Sequence, residues 1–293
     1  MGDKTRFFLS ALGLFILALS LAFAPGRAEA GLAIRIFGGP GYQNIGDLNH
    51  GLKGLSDSFA YYGAGLGYSA AGTYDPIHTE MNLGGDIIFQ FGPNIGIGFG
   101  SGYLRVGRKS ELRLTAPTPA LHDEVLTFSP EVTVIPVRAG LFLFLPLGSA
   151  LTVFLNAGAE YYFASITSLV RDEYPAWWWG EREDKAKGRG FGFRGGLGFE
   201  IRLSSGLSLI LEGQGRLAKI KDLTGSHTYR NSFGFEETKN GTLYYWTDLW
   251  LFQPFPYIAV NDTLPSEPWQ QNPRKAVLDL SGWAAVAGFL FRF

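Results

Sequence analysis

Twelve charged side chains occur at alternate positions of segments whose other residues are mostly apolar or glycine. The acids are Glu80, Asp86, Glu131, Glu160, Glu200 and Glu212, and the bases are Arg35, Arg138, Arg194, Arg202, Arg216 and Arg292. An unpaired charge in a confined interior is costly, whereas a paired and hydrogen-bonded charge need not be. Because acids and bases are equal in number, we expect them to form an ion-pair network that fills a polar interior. A narrow gated pore is the alternative.

Histidine and serine side chains are the candidates for acid–base catalysis. The histidines are His50, His78, His122 and His227. A hydrolytic site needs a serine within hydrogen-bond reach of its histidine, and Ser226 precedes His227, with Ser232 close by. Neighbouring residues of a strand point to opposite faces, so Ser226 and His227 are poorly placed for proton transfer. We expect no catalytic residues and no enzymatic activity, with a lipid-modifying enzyme as the remote alternative.

Metal, cofactor and nucleic-acid sites have little support in the sequence. The chain has no cysteine and so no thiolate ligands. The acids Glu181, Glu183 and Asp184 alternate with the bases Arg182 and Lys185, without the spacing of a calcium loop. No glycine-rich phosphate loop joins a strand to a helix. A net charge of −1 gives no basic surface for nucleic acid. We therefore expect no metal, no cofactor and no nucleic-acid partner.

The segments that carry the twelve charges have the period-two pattern of β-strands. Apolar and polar residues alternate over 80–91, 151–163, 191–203 and 207–217, and less regularly over 32–38, 95–106, 131–145 and 277–293. Strands that separate lipid from a polar interior alternate in this way over about 9–11 residues. Within 131–145 the parity changes around Pro136, which predicts a β-bulge because proline cannot donate to the ladder.

Short and long connections between these segments alternate strictly. The short ones are 92–94, 147–150 and 204–206, and the long ones are about 45–75, 109–125, 171–189 and 221–274. This order predicts an all-β fold: a transmembrane antiparallel up-and-down barrel of eight strands, with short periplasmic turns and long extracellular loops.

A ten-strand barrel is the alternative, because Asn240-Gly241 is a strong hairpin signal. Residues 227–237 and 242–252 would then be two further strands. Residues 227–232 lack a lipid-compatible face, so a hairpin projecting above the membrane is the preferred interpretation.

The two ends of the chain carry features of export and assembly. Lys4 and Arg6 precede an apolar run from residue 7 to residue 23, and 28–30 has the small-x-small pattern of a cleavage site. Residues 1–30 are therefore predicted to be a signal peptide cleaved near Ala30. Residues 31–293 would form the barrel domain.

The chain ends in apolar residues at alternate positions, Phe289, Phe291 and Phe293. These resemble the signal that the bacterial barrel-assembly machinery reads. Together with the alternation and the turn pattern, they make residues 31–293 similar to the small eight-stranded outer-membrane barrels, which include the A-, X- and W-type proteins and the opacity-protein-like group. The resemblance implies the bacterial outer membrane as location, with lipid and lipopolysaccharide as surroundings.

Aromatic side chains are concentrated in the two last predicted loops. They are Trp177, Trp178, Trp179, Tyr244, Tyr245, Trp246, Trp250 and Phe252. Aromatic residues at a barrel edge commonly form an interfacial girdle. Their excess in one loop also indicates a folded cap or an exposed binding patch, and residues 47–61 could add a short helix to that cap.

The pattern favours a structural or surface-interaction role. A porin-like conduit or a binder for small hydrophobic molecules is the alternative. The partner at the aromatic loops would be a small hydrophobic ligand or a surface protein.

Overall fold

The structure is a computed structural model that describes residues 30–175, 177–250 and 253–293. The predicted signal peptide lies outside the described residues, apart from Ala30. In chain order the elements are β1 (Ala30–Gln43), α1 (Asp47–Gly65), β2 (Ser69–Gly72), β3 (Thr79–Phe91), β4 (Ile95–Gly107), β5 (Ser110–Thr115), β6 (Glu124–Pro146), β7 (Leu151–Tyr174), β8 (Trp178–Arg202), β9 (Leu207–Ile220), β10 (Thr224–Asn231), β11 (Glu236–Trp250), β12 (Gln253–Asn261), β13 (Gln270–Lys275), β14 (Leu278–Asp279) and β15 (Gly282–Arg292). Within these described ranges, no helix is both long and apolar enough to cross a membrane.

Eight of the strands pair antiparallel in a closed circuit, which we call the strand ring. Its order is β1, β3, β4, β6, β7, β8, β9 and β15, and β15 pairs with β1 to close it. The short connections and both described chain ends lie at one end of the strand ring, the turn end. The long connections lie at the other, the loop end. The prediction of an all-β antiparallel fold is confirmed.

The two faces of the strand ring differ in chemistry. Inward positions carry most of the predicted charges, and outward positions carry large apolar side chains that stay exposed. Examples are Leu217 at 70 %, Phe193 at 65 % and Trp283 at 60 % exposure. Nearer the loop end the outward residues become polar, as at Arg105 and Lys219. The outward apolar residues therefore form a band with a polar border.

The longest strands continue well past this band. β7 and β8 stay paired up to Tyr174↔Trp178, so most of the predicted loop 171–189 is strand, and that loop prediction is wrong. Its mixed charges suit a strand because they pair across the ladder, with Glu181 Oε1 2.7 Å from Arg230 Nε. In the same way β5, within the predicted loop 109–125, pairs with β2 and β6.

The predicted bulge at Pro136 is also wrong. β6 keeps one register with β7 from Val125 to Pro146, and the register with β4 is the same on both sides of Pro136. The proline carbonyl accepts a hydrogen bond from the Ser101 hydroxyl at 2.9 Å. Even-numbered residues of β6 therefore face inward from Glu124 to Phe142 without a change of parity.

A hairpin is present here, formed by β10 and β11, but Asn240-Gly241 lies within β11, so the predicted position of its turn is wrong. The turn is at 232–235, where the Asn231 side chain accepts hydrogen bonds from the backbone of Phe233 and Phe235. Gly241 serves a close approach instead, since a Cβ there would lie 1.9 Å from the Asn261 carbonyl oxygen. β10 pairs with the extension of β8 and not within the strand ring, so the ring has eight strands and not ten.

Strands β10 to β13 form a side sheet at the loop end, and α1 packs against it. Leu48, Leu52 and Leu55 of α1 are buried in an apolar cluster that also contains ring residues. The helix approaches β12 closely because Gly54 has no side chain: a Cβ there would lie 2.0 Å from the Pro256 carbonyl oxygen. The expected helix at 47–61 is thus present and continues to Gly65.

Substitution of Gly54 by alanine tests this docking. Alanine favours a helix more than glycine does, yet we expect Gly54→Ala to lower the free energy of unfolding by about 1–3 kcal/mol, because it overpacks the contact with β12. Gly65→Ala is the matched control, since no atom lies within 4 Å of a Cβ built there. Urea unfolding in detergent micelles measures both. Equal stabilisation by the two variants would contradict the docked position of α1.

Candidate functional site

The centre of the strand ring contains an ion-pair network built around Arg35. Its guanidinium donates to Asp86, with Nη2–Oδ2 at 2.5 Å and Nε–Oδ2 at 2.8 Å, and to Glu212, with Nη1–Oε2 at 2.5 Å. The three side chains come from β1, β3 and β9, and each is about 2 % exposed or less. Their pairing fixes inward positions of distant strands relative to one another.

Two further arginines extend the network around the ring. Arg138 binds the other oxygen of Asp86, and Arg194 lies 3.3 Å from Glu212 and 3.7 Å from Glu160. The guanidinium carbons of Arg35, Arg138 and Arg194 lie 4.6, 5.0 and 5.3 Å from the centroid of the Phe37 side-chain ring. Cation–π attraction to this one aromatic ring adds to the ion pairs in holding the three cations together.

Smaller ion pairs lie on either side of this centre. Towards the loop end, Arg216 Nη2 lies 2.9 Å from Glu80 Oε1, and Gln43 also donates to Glu80. Towards the turn end, Arg292 binds Glu200. The interior thus holds its charges in three layers, and each layer contains both acids and bases.

The remaining two predicted network residues are not part of the interior network. Glu131 points outward and pairs with Arg105 at 2.7 Å on the exposed side, because β6 does not change parity at Pro136. Arg202 is exposed at the last position of β8, where the ring ends. Both assignments are corrected.

Little free space remains among the described interior residues. The gap lined by Arg35, Arg138 and Arg194 has a volume of about 20 Å³, close to what one water molecule occupies. Nearer the turn end, Ile88, Phe142, Phe144, Phe154 and Leu290 form an apolar cluster across the interior. The described interior therefore contains no continuous channel.

A larger cavity lies at the loop end, which we call the loop-end cavity. Its volume is about 610 Å³. It lies between α1, the extensions of β6, β7 and β8, and the side sheet. The lining residues are Leu55, Ser58, Phe59, Tyr62, Glu124, Asp172, Tyr174, Trp178, Gly180, Arg182, Tyr229, Asp248, Phe255 and Tyr257. Half of them are aromatic, so the cavity joins flat apolar walls to a few charged groups.

Two carboxyl groups lie near each other in the wall of this cavity. Glu124 is 6 % exposed, and the nearby Asp172 carboxyl and Tyr174 hydroxyl groups come from the neighbouring strand β7. Burial raises the pKa of Glu124 to about 7, and the adjacent Asp172 carboxylate adds to the rise. Burial also raises the pKa of Asp172. Two neighbouring carboxylates repel each other, so protonation of one of them is favoured.

The other charged groups of the cavity also have partners, and Arg182 lies near enough to Asp172 for its positive charge to oppose the rise in the pKa of that acid. Burial raises the pKa of Asp248, whose carboxylate accepts a hydrogen bond from Trp246 Nε1 at 2.8 Å. The Arg182 guanidinium binds the Tyr257 hydroxyl. The Trp178 side chain lies over Gly180, where a Cβ would be 2.6 Å from the indole.

The predicted aromatic residues divide among several surroundings. Trp178 lines the cavity, and Trp246 is buried against Tyr257. Trp177 is 66 % exposed. The others are half-buried: Trp179 beneath Arg171, Tyr245 beneath Arg274, and Tyr244. The side chain of Trp250 and all of Phe252 lie outside what the structure describes. Phe289, Phe291 and Phe293 lie along the closing strand and its end, with Phe293 76 % exposed.

His227 has a carboxylate partner rather than a serine. Its Nδ1 lies 3.0 Å from Asp184 Oδ1, and the same oxygen accepts a hydrogen bond from the Val260 backbone. Ser232 is engaged with the Trp179 backbone. Among the described residues, no group of three or more histidine or acidic side chains is arranged to hold a metal ion.

Comparison with solved structures gives a likeness in fold at low sequence identity. No protein family model and no curated protein matches the chain. A crystal structure of the outer membrane protein OprG from Pseudomonas aeruginosa is similar at 13 % identity and a TM-score of 0.43, and the match covers 92 % of this chain and 98 % of that one.

Removal of the central cation tests the interior network. Arg35→Met leaves Asp86 and Glu212 buried without their main partner, so we expect the free energy of unfolding to fall by about 3–5 kcal/mol. Arg202→Met, at an exposed position, is the control and should change it by less than about 0.5 kcal/mol. Equilibrium unfolding of both variants in micelles measures the difference. A stable Arg35→Met protein would show that the pairing does not hold the interior.

Proposed function

We propose that the chain is an outer-membrane β-barrel protein with a closed interior and a surface-interaction role carried by its loop end. The observation that carries the proposal is the exposed apolar band around a charged interior. Water-soluble monomers rarely expose contiguous apolar patches above a few hundred Å². If lipid surrounds the band, these apolar side chains do not contact water, and the free-energy cost of exposing them to water is removed.

The height of the band supports a membrane-spanning assignment. On β3 the outward apolar residues run from Met81 to Phe91, both more than half exposed. Ten residue steps of about 3.3 Å, tilted by about 40°, give a height of about 25 Å, which is the apolar height of an outer-membrane barrel. The loop end would then face the outside, and the turn end the periplasm. Lipid and lipopolysaccharide would contact the band.

The layered interior favours this role over a conduit. A solute would have to part the ion pairs of Arg35 and also the phenylalanine cluster to cross. Signal-peptide cleavage near Ala30 and recognition of the terminal phenylalanines by the barrel-assembly machinery remain parts of the proposal.

Cysteine labelling tests the membrane placement, and the native chain offers no cysteine to interfere. In bacteria with an outer membrane, we expect a membrane-impermeant maleimide to label Ser232→Cys in intact cells. Ser204→Cys, in the turn between β8 and β9, should be labelled only after the outer membrane is permeabilised. Phe193→Cys should react only with a lipid-soluble maleimide. Labelling of Phe193→Cys by the impermeant reagent in intact cells would contradict a lipid-facing band.

Planar-bilayer recording tests the closed interior. The purified protein should give no steady single-channel current, because the ion-pair layers leave no continuous water path. The double variant Arg35→Ser/Phe142→Ser should also give no steady current, because the apolar cluster that contains Phe128 and Ile166 still fills the loop-end half of the strand ring. Large stable currents from the unchanged protein would favour the porin-like alternative.

A further inference from the structure

We propose that the loop-end cavity binds an organic cation, with its charged group beside Glu124 and Asp172 and its apolar part between the aromatic walls. The inference deepens the surface-interaction role and rests on it only for the side of the membrane from which the ligand enters. The binding chemistry itself depends on the cavity alone.

The size and walls of the cavity fit a small molecule. Its volume of about 610 Å³ lies within the range of about 300–1,000 Å³ that ligand sites usually have. Seven of its lining residues are aromatic, contributed by α1, β7, β8, β10 and β12. Aromatic faces attract cations and also cover apolar groups. Walls of this kind suit a ligand that has a cationic head and a hydrocarbon body.

The charges of the lining select the sign of the ligand. Three carboxyl groups, Glu124, Asp172 and Asp248, face one cation, Arg182. Arg182 is held by the Tyr257 hydroxyl and lies 5.9 Å from the centroid of the Tyr257 side-chain ring. The lining is therefore negative when its acids are ionised, and an anion would meet the acids without a free cation to balance them.

At the pair Glu124–Asp172, the cationic group of the ligand can take the place of a bound proton. Repulsion between the two neighbouring carboxylates favours a proton on one of them. A cationic group beside them compensates the second negative charge, so ligand binding releases that proton. The cavity would then exchange a proton for an organic cation.

Binding should therefore strengthen as the pH rises through about 7, the pKa of Glu124. The cation prefers the ionised pair, so protonation at lower pH competes with it. Every other ionisable group of the lining contributes to this environment: Asp172 and Tyr174 on β7, Arg182 on β8, Tyr229 on β10, Asp248 on β11, Tyr257 on β12 and Tyr62 on α1. Burial raises the pKa of Tyr174 above its usual value, so this tyrosine stays neutral across that range.

The cavity ends blindly, so the ligand binds there rather than passing through. Leu55 of α1 lines the cavity and also belongs to the apolar cluster that fills the loop-end half of the strand ring. Leu126 and Phe128, the next inward positions on β6 after Glu124, are fully buried in that cluster. Access is therefore from the loop end.

Calorimetry of the full chain in detergent micelles tests the proposal. The probe is benzyltrimethylammonium, whose charge does not depend on pH. The controls are 2-phenylethanol, which is neutral, and phenylacetate, which is an anion. At pH 8 we expect the cation to bind at least tenfold more tightly than either control. At pH 5.5 the same cation should bind at least fivefold more weakly than it does at pH 8. Titrations in buffers of different ionisation enthalpy should show proton release near pH 7.

Equal binding of the cation and 2-phenylethanol would overturn the proposal, because the cavity would then be a general apolar site. The absence of binding by benzyltrimethylammonium up to 10 mM, about ten times a Kd of 1 mM, would overturn it as well. The labelling of Ser232→Cys and Phe193→Cys measures membrane placement without any ligand. Failure of binding and failure of the proposed function are therefore distinguishable.

Matched variants assign the effect to the acid pair. Glu124→Gln and Asp172→Asn keep the shape of the wall and should weaken cation binding at least tenfold and abolish its pH dependence. Glu173→Gln is the control, because Glu173 is next in sequence to Asp172 but pairs with Arg171 at 3.0 Å. It should bind as the unchanged protein does. Trp178→Leu should weaken the binding of the cation more than it weakens the binding of 2-phenylethanol. Unchanged pH-dependent binding by Glu124→Gln would remove the acid pair from the proposal and so refute it.

Discussion

Arg35 places a positive charge in the middle of the strand ring, where the remaining space is about one water molecule. A charge in such a place is tolerable only when acids meet it with good geometry. Asp86 and Glu212 do so from β3 and β9, and each also binds a second arginine. The strand ring can therefore close only in a register that brings these positions together. The same interaction that stabilises the interior also blocks it.

Because the interior is blocked, the proposed surface-interaction role belongs to the loop end. β7 and β8 are long enough to continue past the apolar band as paired strands, which supports the cavity walls with backbone hydrogen bonds rather than with free loops. β10 attaches the side sheet to β8, and Asp47 attaches α1 to that sheet through Arg274, at 2.5 and 2.7 Å. Side chains on paired strands keep their positions better than side chains on unsupported loops.

The alternation of apolar and polar residues in the sequence predicts most of the strand ring, because successive residues of a strand point to opposite faces. It predicts the eight strands and places the acids and bases of the three interior layers. It misplaces Glu131 because Pro136 suggests a bulge that the register does not need. Asn240-Gly241 suggests a turn because the sequence alone does not distinguish a glycine required by a close approach of two backbones from a glycine required by a turn.

The alternation pattern does not predict the pair Glu124–Asp172. Its two members are 48 positions apart, and their proximity follows from the β6–β7 register rather than from any local pattern.

The loop-end cavity also bears on how a small hydrophobic molecule would behave in this protein. Such a molecule could enter between the aromatic walls, but the acid pair at the wall would lose hydration without gaining a partner. To continue inward it would have to displace an apolar cluster that contains fully buried residues such as Phe128 and Ile166, and then the layer of Arg35. To leave sideways it would have to part paired strands. A cation meets the same barriers to passage, but the acids at the point of entry attract its positive charge. The chemistry of the lining therefore favours retention of a cation over conduction of a neutral molecule.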